Sequence, residues 1–450
     1  MATIKMILLI AVRNLWMARR RSLFLGGALS IVTTLLVLLM ALSQGMSDNM
    51  IHSATTLTTG HVNVAGFYKA TSSDSSPLIT DTSKLKAIVE ESIPEVDYVV
   101  SRGRGFARVT SETGALSSLL AGVDLEQEPA LLDVLESAPE SFYKEGGSDT
   151  IKGDVQKLKD PNSVIIFATQ AERLEVGVGD RLTLRVQSFT GMANTVDVTI
   201  VAVARDIGLL SNFSMFVPSE VIQELYQLKP DTSGAIYVYL HDIDKSAVVM
   251  ARLREVLHKE GYELMEYQPA PYFAKFGTVS GEDWTGQKLD LTMWSDEIEF
   301  LTWILTALDT VSFGLIGILV AIIAVGVMNT MWISVRKRTT EIGTLRAVGM
   351  SKSRVWWLFI SEAALLGLIA ALVGVLCGAL VVLTVNALEI RIPVDAVRAI
   401  LLSDTLNLSL KPDQVFNAVG VMTFFTTLSA MWPAFKAANL QPVEAIQQSE

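Results

Sequence analysis

RKRTTEIGTLRAVGMSKSR, residues 336–354, is the stretch whose reading organises this chain. It is short, basic and punctuated by glycine, and it lies between two long apolar runs. Six of its residues are Lys or Arg, against the single acid Glu341. A loop this basic beside a membrane span belongs in the cytoplasm. Within it Ile342, Leu345 and Val348 recur at helical spacing, and Gly349 stands where a helix would stop. The expectation is a small amphipathic helix lying across two spans, a handle for a soluble partner. A basic loop alone reads as a plain positive-inside connector. The Glu-Ile-Gly-x-Leu-Arg-Ala-x-Gly pattern shifts the weight toward docking.

The flanking composition agrees. Half of the 450 residues are hydrophobic and the mean hydropathy is +0.41, more apolar than a soluble chain of this size needs. Four runs, 23–43, 304–335, 355–388 and 415–435, reach the roughly 20 apolar residues that cross a bilayer. The first, LFLGGALSIVTTLLVLLMALS, lacks a small-residue cleavage site and reads as an uncleaved anchor. Residues 1–21 carry Lys5, Arg13, Arg19, Arg20 and Arg21 and no acid, which places them inside with 336–354.

The expected fold class is therefore an α+β membrane protein. Its four transmembrane helices are 22–44, 301–335, 355–388 and 414–435, with helical stalks. Residues 45–300 form a large mixed α/β extracytoplasmic domain between the first and second spans. Residues 1–21 are a cytoplasmic amphipathic segment, 336–354 and the tail 436–450 are cytoplasmic, and 389–413 is an outer loop. That loop holds Glu389, Asp395, Asp404 and Asp413 against Arg391, Arg398 and Lys411.

Residues 45–300 carry 38 acidic and 21 basic side chains, a net charge of −17. The cytoplasmic segments carry 12 basic and 3 acidic, a net of +9. An acidic outer domain is first a solvated surface, and it excludes nucleic acid as a partner. The sole cysteine, Cys377, lies in a membrane run, so no internal disulfide forms and the outer domain must rely on its core. About 250 residues suffice for that, as two lobes.

Residues 4–17 read as an interfacial helix on the inner leaflet, or as a ragged start to the first span. QGMSDNMIHSATTLTTG continues the first span outward to Gly60. LDLTMWSDEIEFLTWILTALD has helical periodicity before the second span. A single helix from 285 to 335 would be about 75 Å long, so part would project as a stalk. Strands are expected at 98–111, 117–124, 181–188, 195–206 and 234–242, with helices at 169–175 and 246–261, the latter stopped by Gly261. The Val176-Gly177-Val178-Gly179-Asp180 tract reads as a turn.

Chemistry-bearing motifs are sparse. No Gly-x4-Gly-Lys-Ser/Thr occurs in the 450 residues, so the phosphate cradle of an ATPase is lacking, and if ATP drives this protein the nucleotide site is on another chain. His52, His61, His241 and His258 have no metal-ligand spacing. No nucleophile elbow points to a hydrolase. Catalytic, cofactor and metal residues are expected to be none. Glu362 lies within the third span, where a carboxylate needs a partner. It reads first as an interhelix hydrogen bond near the cytoplasmic face, and otherwise as a proton or substrate site. Ala370, Gly374 and Gly378 form a small-x3-small ladder for close helix packing. Midplane polarity in spans two to four is limited to Ser312, Thr384, Thr426 and Thr427, which leaves no hydrophilic path.

These residues resemble a known family. Glu341, Ile342, Gly343, Leu345, Arg346, Ala347 and Gly349 are similar to the ATPase-coupling segment of FtsX/MacB-type (type VII) ABC transporter permeases. The similarity continues through Glu362-Ala363, Gly367, Gly374 and Gly378, and resumes in Trp432-Pro433-Ala434, Ala437-Ala438, Leu440, Pro442, Val443 and Ala445. Gly60-His61-Val62 resembles the lipoprotein-releasing, LolC/LolE-like branch. The resemblance implies a plasma-membrane permease subunit, and intramembrane packing by Glu362, Gly367, Gly374 and Gly378. Its implied partners are an ABC ATPase dimer holding ATP and Mg, a second permease subunit, membrane lipids, and a periplasmic chaperone or adaptor. The implied work is mechanotransmission without a pore, first for lipoprotein or amphiphile release. MacB-like efflux of peptides or drugs and FtsX-like control of a cell-wall hydrolase are the alternatives.

Overall fold

A computed structural model of the chain describes residues 2–17, 19–72, 75–188, 191–207, 211–388, 390, 392 and 405–441. They fall into two compact units, within 1–48, 305–391 and 405–450, and within 49–304 and 392–404. At the start, α1 (Ala2–Met17) and α2 (Arg19–Thr58) are separate helices. On α1, Ala11 and Asn14 are buried while Leu9, Val12 and Trp16 are exposed, and the Arg19 guanidinium lies 4.7 Å over the Trp16 ring. The expected outward continuation of the first span holds, since α2 runs unbroken to Thr58.

The second unit contains β1 (Val62–Lys69), β2 (Ile79–Thr80), α3 (Thr82–Ser92), β3 (Val96–Thr110), β4 (Ala115–Val123) and α4 (Pro129–Val134). There follow β5 (Ser163–Phe167), α5 (Ala168–Leu174), β6 (Arg181–Gln187), β7 (Ala193–Ala204), β8 (Ser214–Pro218) and α6 (Ser219–Tyr226). It ends with β9 (Thr232–Ser233), β10 (Ala235–Leu240), α7 (Ser246–Lys259), α8 (Phe276–Gly281), β11 (Gly286–Met293) and α9 (Trp294–Glu297). The main sheet runs β11-β1-β10-β3-β4-β8-β5-β7-β6, and β3 also pairs with β6. Six strands from β3 to β6 thereby close on themselves, while β11, β1 and β10 extend from β3 as an open sheet. These are the two expected lobes, and the 15-residue β3 is common to both.

Period-two patterning explains the closed lobe. In RLTLRVQ, Leu182, Leu184 and Val186 are buried and Arg181, Arg185 and Gln187 are exposed. On β7 they meet Val196 and Val198 in one core with Val164 and Ile166. The open sheet is covered by α3 and α7, whose Leu85, Val89, Leu253 and Leu257 pack on Val62, Val64 and Leu291. Helix α7 does stop at Gly261, which has φ +88°.

One stretch departs from expectation. Residues 286–293, read as part of a stalk helix, form β11, paired with β1 from Val62↔Met293 to Lys69↔Gly286. Leu289 and Leu291, alternating with Lys288, Asp290 and Thr292, are fully buried in the open-sheet core. Asp290 is met by buried Lys275, its Nζ 2.7 Å from Oδ2. A period of two won over 3.6 because a charged partner was waiting for the alternate face. The long helix α10 (Glu299–Lys337) therefore begins later, and its 39 residues span about 58 Å rather than 75.

Among the described residues the remaining helices are α11 (Thr339–Ala347), α12 (Lys352–Ala387) and α13 (Pro412–Ala438). Among the described residues four helices, α2, α10, α12 and α13, are long and apolar enough to cross a membrane. In their unit α12 packs on both α2 and α13 through the small-residue ladder. A Cβ on Gly374 would lie 2.5 Å from Thr33 Cβ and one on Gly378 2.8 Å from Val37 Cγ1, while one on Gly367 would meet Thr426 at 2.9 Å. The close approach lets Ser30 Oγ donate to Ala370 O and Thr34 Oγ1 to Gly374 O, at 2.9 and 3.0 Å.

Candidate functional site

The sequence expectation of a helix within 336–354 is met by α11. Its end is a Schellman closure: Met350 N donates to Leu345 O at 3.0 Å and Gly349 N to Arg346 O at 3.1 Å. Gly349 has φ +102°, a conformation that side-chain-bearing residues avoid, although nothing lies within 4 Å of a Cβ there. Backbone geometry, not crowding, requires this glycine.

The apolar face is divided. Ile342 is 3% exposed and Gly343 is buried, and Ile342 packs with Val335, Val355 and Phe359. Leu345 and Val348 are not inserted, and Val348 is 90% exposed. Spacing of three residues drifts by about 60° per step on a helix of 3.6 residues per turn, so 348 has left the face that 342 occupies. Full burial of an Ile or Val contributes about 1.5–3 kcal/mol. Ile342 takes that inside this chain, and Leu345 and Val348 do not.

Arg338, at the junction of α10 and α11, was not singled out in the sequence. Its Nε donates to Glu341 Oε2 at 2.8 Å and its Nη1 to Glu362 Oε2 at 3.0 Å, with the guanidinium 5.4 Å over the Phe359 ring. Glu362 is 2% exposed. The expected interhelix hydrogen bond is therefore present, directed at Arg338. The three-residue spacing of Arg338 and Glu341 was the available signal. Arg346 Nη1 donates to Ala438 O at 2.6 Å, tying α11 to the end of α13. Leu440 packs nearby, while Pro442, Val443 and Ala445 lie outside the described residues. Thus Arg338, Glu341 and Glu362 converge beside Ile342, while Arg346 binds the end of α13. Leu345, Ala347 and Gly349 face outward, and Gly367, Gly374 and Gly378 belong to helix packing.

A second constellation surrounds the end of α2 in the other unit. Fully buried Arg102 on β3 donates Nη1 to Leu57 O at 2.8 Å and Nη2 to Thr56 O at 2.6 Å, and it is paired with buried Glu128. Tyr237 Oη donates to Thr58 O at 2.9 Å and Tyr239 Oη to Thr55 O at 3.2 Å. These donors meet the carbonyls that a helix terminus leaves open. The Gly60-His61-Val62 tract completes the joint. A Cβ at Gly60 would lie 2.8 Å from Val238 N. His61 Nδ1 accepts from Leu240 N at 3.0 Å, and burial pushes its pKa down to about 4, so it stays a neutral acceptor. The tract has a structural reason here, without a ligand.

Known proteins share both units. The family model for the FtsX-like permease C-terminal matches residues 313–442, and that for the MacB-like periplasmic core domain matches residues 27–256. The chain belongs to the FtsX/MacB-type, or type VII, ABC permease family. It is a multi-pass membrane protein with a large extracytoplasmic domain. The macrolide export ATP-binding/permease protein MacB of Neisseria gonorrhoeae is 34% identical over 137 residues, 30% of this chain and 19% of that protein. MacB of Campylobacter jejuni is 29% identical over 153 residues, 33% of this chain and 20% of its own length. The chain therefore matches about a fifth of these relatives. The periplasmic region of MacB from Actinobacillus actinomycetemcomitans matches 54% of this chain and 94% of its own at 12% identity, with a TM-score of 0.29.

Proposed function

We propose that this chain is a permease subunit through which a partner ATPase performs work on the far side of the membrane by mechanotransmission. The observation that supports it most is α11: anchored by Ile342 and by the Arg338–Glu362 pair, yet presenting Leu345 and Val348 outward. ATP hydrolysis on the partner moves α11, α12 follows through Glu362, and α2 and α10 carry the displacement. The cargo we favour is a lipoprotein or another amphiphile taken from the outer leaflet. MacB-like export is the second reading, favoured by the relatives named for macrolide export.

Three variants test the coupling. Glu341→Lys, Gly349→Trp and Val348→Asp should insert normally, but each should reduce co-purification of the ATPase or its substrate-stimulated turnover by about tenfold. Loss of one buried apolar contact at an interface is enough for that. Val348→Asp is the cleanest, because a 90% exposed side chain has no fold to disturb. Normal binding and turnover in all three would sink the assignment.

The proposed topology places both termini and 336–354 in the cytoplasm. In a Cys377→Ala background, cysteines at exposed Ser83 and Thr113 should react with an impermeant thiol reagent in spheroplasts, and one at exposed Ser351 should not. Ser188 and Ser233 are buried and would report poorly. Labelling confined to Ser351 would invert the topology.

A further inference from the structure

We propose that a cavity of about 530 Å³ in the outer unit binds a single acyl chain carrying an acidic headgroup, with Arg104 holding the head. The volume lies in the range of small-molecule sites, about 300–1,000 Å³. Its walls include Leu57, Leu119, Phe213, Phe273 and Phe300. Phe213 and Phe273 are 58% and 59% exposed, so apolar surface faces water until something covers it.

Two arginines two residues apart on β3 line this cavity, and they differ in what they hold. Arg102 is committed to Glu128 and the α2 carbonyls. Arg104 donates Nε to Tyr237 Oη at 3.2 Å and lies between the rings of Tyr272 and Tyr237, at 4.3 and 5.3 Å. Among the described residues no carboxylate pairs with it, and its Nη groups donate to none. The nearby carboxylate Glu297 acts on Arg104 through its charge without an ion-pair contact, and its oxygens accept elsewhere: Thr292 Oγ1 donates to Oε1 at 2.8 Å and Tyr272 N to Oε2 at 3.3 Å. Glu299 also lines the cavity and is exposed to solvent. A flat guanidinium held by two rings, with two forked donors unspent, fits a carboxylate or a phosphate monoester. Apolar walls around one cation fit an acyl chain attached to that acid.

This deepens the amphiphile reading above and rests on it for the cargo class, but it is tested without the ATPase. The full chain in phosphatidylcholine nanodiscs is photolabelled with diazirine analogues of oleate, of lysophosphatidate and of oleyl alcohol, and the labelled peptides are mapped. Label from oleate or lysophosphatidate should appear on the peptides carrying Phe213 or Phe273, and the stronger probe identifies the head as carboxylate or phosphate. Arg104→Gln should cut that label by about tenfold or more, since a hydrogen bond to a charged group is lost, while Arg104→Lys should retain part of it. Leu119→Trp, which fills the cavity from its wall, should also abolish label and stands in if Arg104→Gln does not fold. Equal labelling by oleyl alcohol, label that survives both Arg104→Gln and Leu119→Trp, or no label in the cavity from either acid would overturn the site. Normal ATPase binding and turnover in all three coupling variants, with labelling intact, would instead overturn the proposed function.

Discussion

Arg338→Ala will lower the stability of the membrane unit by about 3 kcal/mol and, on the proposed function, reduce turnover of the partner ATPase. The two ion pairs of Arg338 are unequal, and this decides the size. Glu341 is 65% exposed and its pair spans a single helical turn; such surface pairs contribute about 0–1 kcal/mol. Glu362 is 3% exposed by side chain, and its pair crosses between elements. Removing one partner of a buried pair costs about 3–5 kcal/mol where the remaining charge is left bare, and Glu362 keeps a further interaction beyond Arg338. Arg338 itself is 18% exposed, so water reaches one side of the pair and the lower end applies. The measurement is a denaturation series in nanodiscs beside partner ATPase turnover. Glu341→Gln should change stability little. Arg338→Met combined with Glu362→Leu removes both charges and should regain most of the loss, while coupling stays impaired because only the packing of Ile342 then ties α11 to α12. Unchanged stability in Arg338→Ala, or full turnover in the double variant, would show that this pair neither holds nor transmits.

Much of this was legible in the sequence for physical reasons. Membrane helices announce themselves by length and hydropathy, and α11 was marked by Ile342 and Gly349. The role of Gly374 and Gly378 followed from their spacing, because only small side chains allow α2 so close. Three things were not legible. The division of the apolar face of α11 depends on which neighbours stand beside it, since Leu345 and Ile342 look alike in a string. Residues 286–293 satisfied helical spacing and strand alternation at once, and long-range pairing with β1 and Lys275 chose between them. Arg102 and Arg104 read as alternate polar positions of a strand, yet one is fully buried against Glu128 and the other faces a cavity. Partners 26 and 45 residues away made that difference, and local pattern does not contain them.

Arg102→Ala should be the most destabilising single change in the outer unit, about 4 kcal/mol or more. Three losses coincide there. Glu128, 3% exposed, keeps a buried charge without its cation. The carbonyls of Thr56 and Leu57 lose their donors, at about 1–3 kcal/mol for each buried group left unsatisfied. The side chain also leaves a void beside Tyr237, over whose ring its guanidinium lies at 5.2 Å. Arg102→Lys restores a charge but not the fork that serves three acceptors, so it should recover only part. The informative variant is Arg102→Met with Glu128→Leu. If the ion pair were the whole contribution, exchanging it for well-packed apolar side chains would be neutral or better. Because the guanidinium also caps the last turn of α2, the double variant should remain about 2 kcal/mol short of the parent. Amide exchange near Thr58 and Thr59 should then quicken ahead of the sheet, as the helix end frays from β3 and β10. Full recovery in the double variant, with exchange at Thr58 and Thr59 unchanged, would mean that the α2 terminus is held by Tyr237 and Tyr239 alone.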